Sequence, residues 1–341
     1  MCSTPRNLKG NEGMGKRALI CGISGQDGTY LAKLLLGRGY EVWGSSRDAE
    51  LASFDNLRRL GLYESVHLVS LNLRDVGSVL GLLRRIRPDE IFSLAGQSSV
   101  GLSFEQPVET IESIAIGTLT LLEAIRLSEL DIRLYNAGST ECFGDTGDGV
   151  ANEDSPFHPR SPYAVAKASA FWTVANYRQA YGMFACTGIL SNHDSPLRPK
   201  RFVTRKIVNA VAALSTGLDV RLSLGNLEIE RDWGWAPDYV EAIAAMLEQD
   251  VPSDFIIATG SSHTLHEFME TAFELVGKDW RSHVAIDEHL MRPTEIMRNK
   301  VDPSRAAEGL GWKAKRGMRQ VIGMMLDAEI ANLRSSVEAS N

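Results

Sequence analysis

The chain has 341 residues, 44% of them hydrophobic, long enough for one large α/β core or for a core with a smaller appended domain. Lys and Arg total 36 against 43 Asp and Glu, a formal net charge of -7, which argues against a broad nucleic-acid surface while leaving room for a local basic pocket. No apolar run approaches the roughly eighteen residues of a membrane span, and Arg6, Lys9, Asn11 and Glu12 stand where a signal peptide would be apolar, so no membrane role and a cytoplasmic location are expected.

Residues 1–15 are polar and contain glycine without apolar periodicity, and are expected to form a disordered leader. From Lys16 onward, apolar runs at 17–21, 41–45, 67–71, 90–95, 132–137 and 184–190 read as buried strands, with helical patterns such as 28–37 and 114–127 between them. This βαβ alternation predicts an α/β fold, a Rossmann-like doubly wound parallel sheet. After about Ser191 the order changes: Pro196, Pro199 and Pro237 interrupt it, and helices at 202–214, 239–248 and 265–276 are separated by short segments. A smaller, interleaved C-terminal substrate lobe is therefore expected. The predicted bounds are 16–190 for the dinucleotide-binding domain, rejoined by about 235–262; 191–234 and 263–330 for the lobe; and 331–341 for a tail. Cys2, Cys21, Cys142 and Cys186 form no CxxC pair, as expected of reduced thiols.

The first strand runs into Gly22-Ile23-Ser24-Gly25-Gln26-Asp27-Gly28 and then a helix, placing glycines where backbone must approach a pyrophosphate at a helix N-terminus. Any tight strand-to-helix turn can need glycine; its position in the first βα unit favours a dinucleotide site. The second strand ends Val42-Trp43-Gly44-Ser45-Ser46-Arg47, with no acid placed to accept the two ribose hydroxyls of NAD. Arg47 can instead meet a 2′-phosphate, so NADP is favoured, although Asp48 beside it also allows a solvated loop charge. Asn72-Leu73, ending the third strand, can line an adenine pocket or simply turn the chain.

Tyr163 and Lys167 form a YxxxK pair on a stretch that reads as helix after Ser161-Pro162, and a spacing of four puts both on one face. Tyrosine is a poor base at neutral pH unless a cation lies near, which the ammonium one turn away supplies. The fifth strand ends Ala137-Gly138-Ser139-Thr140-Glu141, at the sheet edge where ligands sit. Ser139 can bond a substrate hydroxyl, and Glu141 can remove a proton next to a carbonyl, a task simple hydride transfer does not need. The competing reading of Glu141 is a charge at a helix N-terminus.

With these residues in place, the chain resembles the extended short-chain dehydrogenase/reductase superfamily and, within it, the GDP-mannose 4,6-dehydratases. The likeness runs from Lys16 to about Leu326. Beyond the glycine-rich turn it rests on Pro159-Arg160-Ser161-Pro162-Tyr163-Ala164-Val165-Ala166-Lys167, Asn192-His193-Asp194-Ser195-Pro196, Phe202-Val203-Thr204-Arg205-Lys206 and Arg231-Asp232-Trp233-Gly234. It implies a catalytic set of Ser139, Glu141, Tyr163 and Lys167, with Ser139 where the family usually has threonine. It implies NADP on Gly22, Gly25, Gln26, Asp27, Gly28, Arg47, Asn72, Leu73, Leu94, Ala95, Tyr163, Lys167, Leu190, Asn192 and His193. Ser98, Asn192, Arg198, Val203, Lys206, Gly225, Arg231, Arg292 and Glu295 are implied near a GDP-sugar. The implied activity is 4,6-dehydration of GDP-mannose by a homodimer or homotetramer.

Three departures stand out. The basic loop after the second strand carries two successive arginines in the family and Arg47-Asp48 here; Asn72 replaces an aspartate; Arg201 occupies an often acidic position. From the residues alone, Arg198, Arg205, Lys206, Arg231 and Arg292 suit two phosphates, each being also readable as a surface charge. Reductases and epimerases of the superfamily share the turn and YxxxK without needing Glu141, and a catalytically silent relative is a further reading. His263 and His266 have no third ligand nearby, so no metal site is expected.

Overall fold

The structure, a computed structural model, describes residues 15–338; Cys2 and all but the last residue of the expected leader lie outside the described residues. In chain order the strands are β1 (Arg17–Cys21), β2 (Glu41–Ser46), β3 (His67–Ser70), β4 (Glu90–Ser93), β5 (Arg133–Ala137), β6 (Ala185–Leu190), β7 (Asn192–Asp194), β8 (Leu222–Leu224), β9 (Glu230–Trp235), β10 (Phe255–Ile257), β11 (Ser262–Thr264) and β12 (Val284–Ile286). The helices are α1 (Gln26–Gly37), α2 (Asp55–Arg59), α3 (Val76–Ile86), α4 (Val100–Glu105), α5 (Pro107–Ile111), α6 (Gly117–Ser128), α7 (Pro162–Tyr181), α8 (Val203–Ser215), α9 (Ala236–Leu247), α10 (Leu265–Leu275), α11 (Ser304–Leu310) and α12 (Met318–Glu338).

Seven strands form one sheet in the order β10-β6-β5-β4-β1-β2-β3, parallel at every pairing. The chain enters at β1, winds out to β3, then crosses back to β4 and winds the other way, which opens a crevice at the carboxyl ends of β1 and β4. Alternation along β1 divides the core: Ala18 and Ile20 join Leu31, Leu35 and Ile243 on one face, while Leu19 and Cys21 join Val79, Leu83 and Leu121 on the other. Burial on both faces is why these strands read as continuous apolar runs. A second apolar cluster, with Ile207, Val211, Trp233, Phe268, Phe273 and Ile322, holds α8, α10 and α12 around β9. Among the described residues, no helix is long and apolar enough to cross a membrane.

Several expectations need correction. Pro237 does not interrupt the pattern; it sits in the first turn of α9, where its missing N–H has no helical partner to lose. Helix 114–127 begins as a π-helical turn, Glu112–Ile116, before α6. The segment 304–312, expected in the lobe, packs with the Rossmann core: Ala306 and Trp312 belong to its cluster, and Trp312 Nε1 donates to Asp238 O at 2.9 Å. The tail expected from 331 is helical through Glu338, because Leu333 continues the apolar face of α12 against the second core.

Arg205 is the clearest correction among the basic residues. It is buried beneath α12 and paired with Glu329 at 3.0 Å rather than turned to a phosphate. Its Nε and Nη1 have no hydrogen-bond partner, so Glu329 carries most of the compensation for this buried charge. Glu329→Gln is therefore expected to lower stability by about 3 kcal/mol, seen as a lower urea midpoint at constant m; an unmoved midpoint would show that Arg205 reaches water.

Candidate active site

A cleft of ≈ 940 Å³ lies along the carboxyl ends of the central strands and reaches the start of α8. Its floor is the turn after β1. Gly22 has φ +89°, and a Cβ there would lie 2.8 Å from the Ala95 backbone nitrogen, so β1 and β4 approach too closely for a side chain. A Cβ on Gly28 would lie 2.5 Å from Gly22 O, so α1 packs directly on the turn. Gly25 starts α1 with no side-chain cap, leaving first-turn N–H groups to meet an anion. These features fit a dinucleotide pyrophosphate.

Gln26 and Asp27 line this cleft, yet their hydrogen bonds reach across to β7 and the residue after it. Gln26 Nε2 donates to His193 O at 3.0 Å, and Ser195 Oγ donates to Gln26 Oε1 at 2.8 Å. His193 bridges Asp27 Oδ2 at 3.0 Å and Ser191 O at 2.8 Å, with its ring stacked on Tyr239. Burial alone would lower the His193 imidazole; Asp27 outweighs that and holds it above its ordinary value. The cofactor turn and the Asn192-His193-Asp194 segment are thus locked into one unit.

The acid–base residues converge from two elements. Tyr163 and Lys167 point from α7, whose N-cap Ser161 accepts from Ala164 N and whose Pro162 opens the helix. Burial raises the Tyr163 phenol above its ordinary range, opposed by a hydrogen bond with Ser139 and reinforced by nearby Glu141. Burial pushes the Lys167 ammonium down to about 8, and its Nζ donates to Ala137 O at 2.6 Å. Ser139 also caps the short 3₁₀ turn Thr140–Phe143, its Oγ accepting from Glu141 N at 3.3 Å. One hydroxyl therefore ties the tyrosine to the turn that carries the carboxylate.

Glu141 is buried, with one oxygen 3.4 Å from Arg231 Nε and the other without a hydrogen-bond partner. Arg231, on β9, is anchored through Nη1 to the carbonyls of Glu230 and Ile296, both at 2.9 Å. Asn299, which sequence reasoning missed, donates to Thr140 O at 2.9 Å and Gly144 O at 3.1 Å and braces the turn from behind. Nothing in the local pattern around Asn299 signals this, since its partners lie more than 150 residues away in the chain.

Ser98, Leu94, Ala95, Leu190, Asn192, Arg198, Val203, Lys206, Gly225, Arg231 and Arg292 all line the cleft, as do Asn72, Leu73 and Arg47. Glu295 does not; it stands behind Arg292, with one oxygen 3.7 Å from Arg292 Nη1. Arg198 lies over the Phe202 ring and is held by Asp194 at 3.1 Å. Outside the cleft, His263 pairs with Glu267 at 3.5 Å and His266 meets the Trp280 ring edge-on. No metal-holding group of three or more His, Cys, Asp or Glu occurs among the described residues.

A family model described as GDP-mannose 4,6 dehydratase matches residues 19–325. GDP-mannose 4,6 dehydratase 1 of Arabidopsis thaliana is 46% identical over 327 residues, covering 92% of this chain and 90% of its own. The GDP-mannose 4,6-dehydratase of Vibrio cholerae is 40% identical over 349 residues, covering 92% and 93%. The UDP-glucose 4-epimerase of Thermus thermophilus, in complex with NAD, superposes with TM-score 0.80 at 27% identity, over 92% of this chain and 98% of that one. The family match spans the glycine-rich turn, the Ser139–Glu141 turn, the Tyr163–Lys167 helix and the basic residues of the lobe together, and so the chain belongs to the GDP-mannose 4,6-dehydratase family.

Proposed function

We propose that the protein converts GDP-mannose to GDP-4-keto-6-deoxymannose, with NADP as its resident nicotinamide dinucleotide. The observation that carries the reading is a buried carboxylate, Glu141, next to the Tyr163–Ser139 pair at the carboxyl edge of the sheet. The relatives named above share the dehydratase reaction in their names, and the epimerase binds NAD in the same fold.

The work divides among this chain's residues. Tyr163, aided by Ser139 and Lys167, takes the proton from the C4 hydroxyl. A nicotinamide dinucleotide held over the Gly22–Gly28 turn, with Lys167 beside it, would supply the reversible hydride chemistry that links C4 and C6. Once C4 is a ketone, the C5 hydrogen is acidic, and Glu141 takes it. The C6 hydroxyl leaves as water with the proton that Glu141 took from C5, and Tyr163 gives the proton that it holds to C5, which restores both residues. The net change is loss of one water. Arg198, Lys206 and Arg292, on the lobe side of the cleft, suit the two phosphates of the nucleotide.

Incubation with GDP-mannose is expected to yield a product lighter by one water, with no stoichiometric consumption of cofactor. A product of unchanged mass would instead mark an epimerase, and one-for-one oxidation of added cofactor a reductase. Assembly as a homodimer or homotetramer and a cytoplasmic location belong to the same proposal. The first is supported by Ile116, Leu119, Val165 and Trp172, exposed on the π-helical turn before α6, on α6 and on α7, the second by buried free thiols at Cys21, Cys142 and Cys186.

A further inference from the structure

We infer that Arg74 supplies, together with Arg47, a two-arginine clamp for the 2′-phosphate of the cofactor, and that Glu109 holds the clamp in place and opposes its ligand. The inference rests on the NADP reading above. Arg47 directly follows β2 and Arg74 lies in the loop between β3 and α3, and both line the cleft. Their Nη1 atoms lie 3.0 and 3.6 Å from the two separate oxygens of one Glu109 carboxylate, on α5. Two guanidinium groups thus flank a single anion-sized volume at the cleft rim, and a phosphate, with more charge and more acceptor oxygens, can take the same place.

The neighbouring acids do not occupy that position. Asp48 accepts from the backbone N–H groups of Glu50 and Leu51 at 2.9 and 3.1 Å, so its carboxylate is engaged by its own turn. Asp75 caps α3 through Gly77 N and Ser78 N. Asn72, uncharged, accepts from Arg74 N at 3.1 Å and fixes the backbone from which Arg74 projects. Glu112 also pairs with Arg74, so the local acids facing the two arginines are Glu109 and Glu112, both partly exposed. Ion pairs this exposed hold little energy and yield readily to a dianion. The second guanidinium therefore comes from the loop between β3 and α3, across the Glu109 carboxylate from Arg47.

The test is equilibrium binding of NADP, NAD, 2′,5′-ADP and 5′-AMP to the purified protein. Arg74→Ala is expected to weaken NADP and 2′,5′-ADP by about tenfold or more while moving NAD and 5′-AMP by less than about twofold. Glu109→Gln should act in the opposite direction, tightening both 2′-phosphorylated ligands. If Arg74→Ala weakens all four ligands equally, or leaves the ratios untouched, Arg74 merely pins α5 and the clamp is wrong. If the unaltered protein itself shows no preference for the 2′-phosphorylated ligands, the NADP reading is what fails.

Discussion

Glu141→Gln should lower the turnover of dehydration by about two to four orders of magnitude, the range a positioned general base contributes. Glutamine keeps the size of the side chain, and its carbonyl can still accept from Arg231 Nε, now 3.4 Å from the carboxylate. The Ser139 cap and the Asn299 brace act on the backbone of the turn, so neither is disturbed. Loss of a fully charged partner for buried Arg231 will cost some stability, which titration with GDP at unchanged affinity separates from catalysis. On the proposed roles, the substitution removes proton abstraction at C5 while leaving Tyr163 to work at C4. A 4-keto sugar that still carries its C6 hydroxyl should then collect on the enzyme, and solvent deuterium should no longer enter C5. Dehydration at the original rate would remove Glu141 from the mechanism and leave its burial as a purely structural fact.

What made this site readable was chemistry held in short segments. The glycine turn, the YxxxK helix and the Ser139–Glu141 strand end each span only a few residues, and the parallel sheet brings strand carboxyl ends to one edge whatever lies between them. Pairings across long distances are not written locally. Arg205 and Lys206 are neighbours in sequence, but a helix turns them about 100° apart, so one faces α12 and Glu329 while the other faces the cleft. Arg231 reads as a phosphate ligand because arginines often are; only the tertiary fold sets it beside Glu141 and ties it to Ile296. Pro237 reads as a break because proline interrupts a helix interior, whereas its place in the first turn depends on where β9 ends. Asn299 carries no signal of its own, since a buried asparagine is held in position by two carbonyls far away in the chain.

Lys167→Met should reduce turnover by about a hundredfold or more and move the rising limb of the kcat/KM profile to higher pH. The sign follows from the two groups on α7. Burial lowers the Lys167 ammonium to about 8 and raises the Tyr163 phenol above its ordinary range. The active pair, phenolate with ammonium, carries the same number of protons as phenol with neutral amine, so it forms when the pair gives up its first proton, at a pH governed by the lowered ammonium rather than by the raised phenol. Methionine removes that ionisation and the cation, and the first proton lost is then the tyrosine's own, at a pH raised by burial and by nearby Glu141. Tyr163→Phe, by contrast, abolishes the limb along with the activity. A Lys167→Met enzyme whose limb stays near the original pH would show that Lys167 does not set the protonation of Tyr163. Its bond to Ala137 O would then be a strut for the strand end rather than part of the proton path.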